Sequence, residues 1–284
     1  MLLPDTRHCI EKIAALCEQA SAAILYFYGN DERLKTIKKA DSTPLTQADL
    51  AVHKILMEGL PQILSIPVVS EESAKAAQFA HHRDYWLIDP IDGTKEFINR
   101  TGEFCIAIAR IENHRPTLGL IYAPLTHQYW FAIKGQGAYR YTPNQSIKAL
   151  NAQNETAEPI LITAKPKIGK RLQHYLSQTL GNYRQVSCAS ALKFCWIAEG
   201  KADIYFKLAS ATSEWDTAAG DILLSEVGGG LRYLGNTVLQ YGRRETTLNP
   251  PFIAYNNKIS SDKLACYFEQ LEKLCSTENI YLPK

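Results

Sequence analysis

No stretch of the sequence is apolar over the ~20 residues that a membrane-spanning helix needs. The nearest approach is "AAILYFY" at residues 22–28, and the flank before it carries Glu11 and Glu18. It reads as the end of an amphipathic helix rather than a signal peptide. An excess of one charge is also missing. The 284 residues carry a net charge of +2, so neither a nucleic-acid surface nor an acidic tail is expected. The seven cysteines are odd in number and contain no C-x-x-C pair. With no export signal, they read as reduced thiols of a cytoplasmic protein. Cys9 and Cys17 share one helical pattern and are expected in the core rather than on a metal. Internal repeats and low-complexity segments are absent. A chain of this length, 46% hydrophobic, fits one large domain or two intimate subdomains with a full core.

What is present changes character along the chain. Cys9, Ile10, Ile13, Leu16, Cys17, Ala20 and Ile24 follow the 3.6-residue period and predict a helix over 5–28, stopped by Gly29-Asn30. The basic, polar "RLKTIKKADSTP" (33–44) reads as a mobile loop. A second helix, capped by Thr46, is expected to run to about Gly59. Short strands follow at 65–73 and 84–89. Residues 103–142 are strand-like runs split by turn signals, a meander of antiparallel strands. Gly135-Gln136-Gly137 is a hairpin turn there; no helix follows it, as a dinucleotide fingerprint would require. The polar stretch 143–158 divides the chain into an N-terminal α+β part, 1–150, and a C-terminal α/β part, 151–284. In the second part, strands at 160–163, 183–187 and 202–207 alternate with helices at 168–179, 190–199 and 215–227. Gly228-Gly229-Gly230 ends the last helix.

The residues that carry chemistry stand at the ends of these elements. In "WLIDPIDGTKEF" (86–97), an apolar strand runs into Asp89 and Asp92, separated by Pro90-Ile91. Two carboxylates so close repel, and desolvating them is costly. A helix N-cap explains one of them. A hard divalent cation, which takes carboxylate and carbonyl oxygens, explains both. Glu71-Glu72 end another strand that can run beside 84–89, though a Glu pair at a strand end is also an ordinary solvated feature. Asp216 opens the last helix in "EWDTAAGD", where Ala218, Ala219 and Gly220 permit close backbone approach. Its other reading is a capping box, Ser213-x-x-Asp216.

Taken together, these motifs resemble the inositol monophosphatase superfamily of magnesium-dependent, lithium-sensitive phosphatases. That superfamily carries T-x-x-D, Glu-Glu, D-P-[ILV]-D-G-T and W-D-x-A-A-G in this order. Here they stand as Thr46-Gln47-Ala48-Asp49, Glu71-Glu72, Asp89 to Thr94 and Trp215 to Gly220. The Lys95-Glu96-Phe97 run, "KADSTPLTQAD" and Ser190-Ala191-Leu192-Lys193 look like the bacterial 3'(2'),5'-bisphosphate nucleotidase branch. The resemblance implies an α+β, layered αβαβα fold of the sugar-phosphatase type. It implies a phosphomonoesterase using two or three magnesium ions, held by Glu71, Asp89, the Ile91 carbonyl, Asp92 and Asp216. Asp49 and Thr94 would orient or deprotonate the attacking water, and the Gly93 and Thr94 amides would grip the phosphate. Substrate would also meet Glu71, Ile91, Asp92, Asp216, Ser190 and Lys193, with Lys38 or Lys39 closing over the site. One departure stands out: related enzymes often carry Ser-x-Ser-His after the 160–163 strand, and this chain has Thr163-Ala164-Lys165-Pro166. Lys165 could bind phosphate there as a point charge.

The expected reaction is hydrolysis of 3'-phosphoadenosine 5'-phosphate to AMP and phosphate. The partner would be a small phosphorylated nucleotide, and the enzyme a cytoplasmic monomer or homodimer, or peripheral on the inner membrane's cytoplasmic face. An inositol or sugar phosphate monoesterase is the alternative within the same chemistry. A non-catalytic nucleotide or metal sensor is the alternative outside it, disfavoured because Thr94 and Asp49 are both retained.

Overall fold

The computed structural model describes residues 3–30, 36–38, 44–73, 82–152, 157–208 and 212–277. The chain opens with α1 (Pro4–Tyr28), a small antiparallel pair β1 (Thr36–Lys38) and β2 (Pro44–Thr46), and α2 (Gln47–Ile63). A seven-stranded sheet follows in sequence order: β3 (Val68–Ser70), β4 (Asp84–Asp92), β5 (Cys105–Glu112), β6 (Arg115–Ala123), β7 (Gln128–Ile133), β8 (Gly137–Tyr141) and β9 (Lys148–Ala149). The short helix α3 (Thr94–Ile98) interrupts it between β4 and β5. Only β3–β4 is parallel; the remaining neighbours are antiparallel.

Trp86, Ile88, Ile106, Ile108, Leu120 and Phe131 project from one face of this sheet onto α1 and α2. Leu87, Ala107, Ala109, Ile121 and Ala132 project from the other. Burial on both faces is why these strands read as nearly continuous apolar runs. The second face meets α5 (Leu192–Ala198) and α6 (Ala218–Glu226), which also cover a second sheet. That sheet holds β10 (Ile160–Thr163), β11 (Arg184–Ser187), β12 (Ile204–Lys207), β13 (Gly230–Tyr233), β14 (Thr237–Val238) and β15 (Phe252–Tyr255), ordered β11-β10-β12-β15-β13-β14. On its far side α4 (Lys170–Leu180) and α7 (Ser261–Thr277) bury Leu176, Leu264, Phe268 and Leu271 against Ile204, Phe206 and Ile253. The layers are αβαβα, as the resemblance implied. One apolar core spans both sheets through α5 and α6, from Val69 to Ala254.

Several expectations are corrected. Residues 33–44 are not all loop, because Thr36–Lys38 pairs with Pro44–Thr46; Lys39 lies outside the described residues. α2 continues past Gly59 to Ile63, with Pro61 inside it. The expected helix over 215–227 is a 3-10 turn, Glu214–Asp216, followed by α6. The helix expected at 190 begins at Leu192, since Ser190 takes a left-handed backbone (φ 51). β13, β14, β15 and α7 had no counterpart in the sequence reading. Cys17 is buried in α1 and Cys9 packs beside that core, both as free thiols. Among the described residues no helix is long and apolar enough to cross a membrane.

Candidate active site

Strand pairing builds the first half of the site. Parallel register matches Ser70 with Ile88, and the Glu71 amide donates to the Ile88 carbonyl at 3.1 Å. Glu71 therefore comes level with Asp89. Ser70 Oγ, hydrogen-bonded to His53 Nδ1 at 2.8 Å, accepts the Glu72 amide at 3.2 Å and fixes this strand end.

Asp89 and Asp92 pose a parity problem. Three residues apart in a regular strand, they would point to opposite faces. β4 does not stop at Asp89, as the apolar run predicted. It continues to Asp92, and Asp89 pairs with Ala107 while Asp92 pairs with Cys105. One extra residue is thus inserted at Pro90-Ile91, a β-bulge, where proline is tolerated. The bulge turns both carboxylates into one pocket.

Gly93 follows at φ 95, a left-handed conformation that suits glycine. A Cβ there would lie 2.9 Å from the Glu103 carbonyl oxygen. The close approach that requires glycine is therefore to the chain's own backbone. Asp216 arrives from the 3-10 turn Glu214–Asp216. The capping box read from the sequence is present, with the Ser213 amide donating to Asp216 Oδ2 at 2.6 Å. The Ala-Ala-Gly run behind it lets α6 sit close: a Cβ on Gly119 of β6 would meet the Ala219 carbonyl oxygen at 2.8 Å, and one on Gly220 would strike the Phe194 ring.

Carboxylate oxygens of Glu71, Asp89 and Asp216 converge within 4.8 Å of one another. Burial, then the charges of Glu71, Asp92 and Asp216, hold Asp89 well above the usual carboxylate range. Burial, then Asp92 and Glu71, pushes Asp216 up to about 8, against a hydrogen bond with Asp89. Asp92 lines the same pocket and accepts the Ala191 amide at 2.5 Å. Burial raises it to about 6, with Lys193 and that amide opposing. Without a cation, burial and mutual repulsion favour the protonated forms of Asp89 and Asp216. Crowded, desolvated oxygen donors of this kind fit a hard divalent ion.

Beside the acids, Thr94 Oγ1 lies 3.3 Å from Asp49 Oδ1 and 3.2 Å from the Ile91 carbonyl. Asp49 is buried, and its Oδ2 accepts the Thr46 amide at 2.8 Å and the Thr46 hydroxyl at 2.5 Å. The capping box of α2 is thereby also what holds Asp49 towards Thr94.

The pocket encloses about 270 Å³ and is also lined by Lys95, Glu96, Ser190, Lys193, Phe194 and Tyr205. That volume is near the low end for small-molecule sites. Lys193 is only 8% exposed, which rules out a solvated surface lysine. Its ammonium donates to the Ser190 carbonyl and lies 5.4 Å from the Tyr205 ring centroid. Ser190 Oγ accepts from the Leu192 amide and the Cys105 thiol, leaving its own O–H as a donor. Ala164 lines the pocket, whereas Lys165 is exposed and does not. Sequence reasoning missed Lys207, which ends β12. Burial and the charge of Lys193 lower its pKa, while Asp216 and Asp92 raise it. A lysine closing the apolar run "ADIYF" next to the Ser190 helix was the available signal.

A family model described as "Inositol monophosphatase family" matches residues 7–273. The chain belongs to the inositol monophosphatase family. Within that family it is 36% identical over 245 residues to the 3'(2'),5'-bisphosphate nucleotidase CysQ of Salmonella typhimurium, covering 86% of this chain and 98% of that protein. The CysQ of Escherichia coli (strain K12) is 34% identical over the same length, again 86% of this chain and 98% of that one. Among solved structures, CysQ from Bacteroides thetaiotaomicron superimposes with a TM-score of 0.75 at 30% identity, over 88% of this chain and 97% of that one. Thermotoga maritima IMPase gives 0.74 at 20% identity, over 93% and 98%, a likeness of fold alone. The chain is a hydrolase of this family.

Proposed function

We propose that the protein is a magnesium-dependent 3'(2'),5'-bisphosphate nucleotidase that converts 3'-phosphoadenosine 5'-phosphate to AMP and phosphate. The observation that carries this reading is one pocket holding both the converging carboxylates and the buried Lys193 ammonium. Glu71, Asp89 and Asp216, with Asp92 and the Ile91 carbonyl beside them, would hold two or three magnesium ions. When bound, magnesium supplies charge neutralisation at the phosphoryl oxygens and makes the attacking water more acidic. Thr94 accepts a hydrogen bond from that water while donating to Asp49, which is the final proton acceptor. α3 has only five residues, so phosphate contacts near Gly93 rest on local N–H groups rather than a long helix dipole. Lys193 and Lys207 suit a second phosphate, which a bisphosphate nucleotide has and an inositol monophosphate lacks. Phe194 and Tyr205 supply apolar wall beside them. The substrate is free and small, and the enzyme acts in the cytoplasm as a monomer or homodimer.

The test is phosphate release from bisphosphate nucleotides, inositol 1-phosphate and para-nitrophenyl phosphate, with magnesium and with chelator. Preference for the nucleotide and dependence on magnesium are expected. Preference for inositol 1-phosphate would favour the sugar-phosphatase alternative, and no release from any substrate the sensor.

A further inference from the structure

Asp216 sits on a short 3-10 turn, Glu214–Asp216, packed against β4 and β5. What holds that turn is an irregular strap, residues 241–249, lying about thirty positions downstream. The Glu214 amide donates to the Thr247 carbonyl at 2.9 Å, and the Asn249 amide donates to the Thr212 carbonyl at 2.7 Å. Asn249 Nδ2 then straddles Asp216. It donates to the Ser213 carbonyl at 2.5 Å before it and to Thr217 Oγ1 at 3.1 Å after it. Glu214 reaches back into the strap: its Oε2 accepts the Gly242 amide at 2.7 Å, and its Oε1 accepts Arg244 at 3.0 Å. Arg244 closes the loop by donating to the Leu248 carbonyl at 2.7 Å and to Asn249 Oδ1 at 3.3 Å. Glu214 and Asn249 are buried.

A buried carboxylate paired with a half-buried guanidinium is a poor way to gain stability, because desolvation offsets much of the attraction. The pair does impose one geometry on whatever it bridges. A cation site needs that, since its ligands must sit within about 0.2 Å of ideal distances, and the partners that orient ligands govern affinity. We infer that Arg244, Glu214 and Asn249 are positioning residues for cation binding: they clamp the Glu214–Asp216 turn so that Asp216 meets Glu71 and Asp89. This rests on the proposed metal site, and the clamp adds to it the residues that set its affinity.

The test is Mn2+ binding, followed by electron paramagnetic resonance or calorimetry, in the folded wild type and variants. Arg244→Ala should weaken Mn2+ binding by about 10–100-fold. The metal concentration for half-maximal activity should rise by more than kcat at saturating metal falls. Arg244→Lys, which keeps the charge but not the fork, should recover part of the affinity. If Arg244→Ala does not fold, Arg244→Lys and Asn249→Ala carry the test, each weaker than wild type. Arg110→Ala is the control: it breaks a bidentate pair with Asp84 (2.9 and 2.7 Å) at the other end of β4, and should lower the melting temperature without changing Mn2+ affinity. Unchanged affinity in folded Arg244 and Asn249 variants overturns the clamp. Failure of the wild type to bind Mn2+ overturns the metal site itself.

Discussion

Replacing Asp49 by Asn changes one atom and, through it, the direction of the proton path. Thr46 Oγ1 accepts the Ala48 and Asp49 amides, so its own proton points to Asp49 Oδ2. The Thr46 amide donates to the same oxygen. An Asn side chain must therefore place its carbonyl oxygen there, which leaves its NH2 where Oδ1 faces Thr94. Thr94 must then accept, and its proton turns to the Ile91 carbonyl. The cap of α2 survives with neutral instead of charge-assisted hydrogen bonds, a loss of about 1 kcal/mol. The proton acceptor does not survive, so kcat should fall by about 10²–10⁴-fold. Phosphate release at saturating magnesium, read beside a thermal melt, separates the two effects. Activity within about threefold of wild type, under 1 kcal/mol, in a well-folded variant would refute the proton path from Thr94 to Asp49.

Three further outcomes follow from the same geometry. Asp216 at about 8 and Asp92 at about 6 bind protons more tightly in the native metal-free chain than when unfolded, so their contribution to stability is full below the ordinary carboxylate value of 3.8 and is lost as pH rises from there through 6 and 8. The melting temperature in chelator should fall across that window and the magnesium-induced rise should grow; a rise independent of pH would show that protons and cation do not compete. Lys207→Met should lower kcat/KM on the bisphosphate nucleotide by about tenfold or more, the worth of a charge-assisted hydrogen bond, and leave para-nitrophenyl phosphate nearly unchanged; equal losses on both substrates would remove Lys207 from the nucleotide site. Gly220→Ala should destabilise by about 1–3 kcal/mol in a denaturant titration, because the new methyl strikes Phe194; a neutral result would mean that α5 and α6 can separate at no cost.

The acids were legible in the sequence because they stand where apolar runs end, and the α1 core face because its period is unbroken from Cys9 to Ile24. Thr46 and Asp49 were legible as a cap and as a motif, and both descriptions hold of the same hydrogen bonds. The bulge at Pro90-Ile91 was not, since it exists only relative to the register of β5. Local spacing of Asp89 and Asp92 could not say which faces they would share. β13 to β15 escaped because their runs are short, and only tertiary pairing makes them strands. The burial of Lys193 depended on Tyr205, twelve residues on, folding over it. Arg244 and Asn249 lie in an irregular segment with no period at all, and their meaning comes from Glu214 and Ser213 across the chain.

The central claim is that this pocket uses magnesium to release a phosphate from a nucleotide bearing two. The most direct measurement is kcat/KM for 3'-phosphoadenosine 5'-phosphate against inositol 1-phosphate, each with magnesium and after chelation. The account predicts magnesium-dependent turnover of both or of the nucleotide alone, with the nucleotide favoured by at least about tenfold through Lys193 and Lys207. Turnover that survives chelation, or equal efficiency on the two substrates, would contradict it.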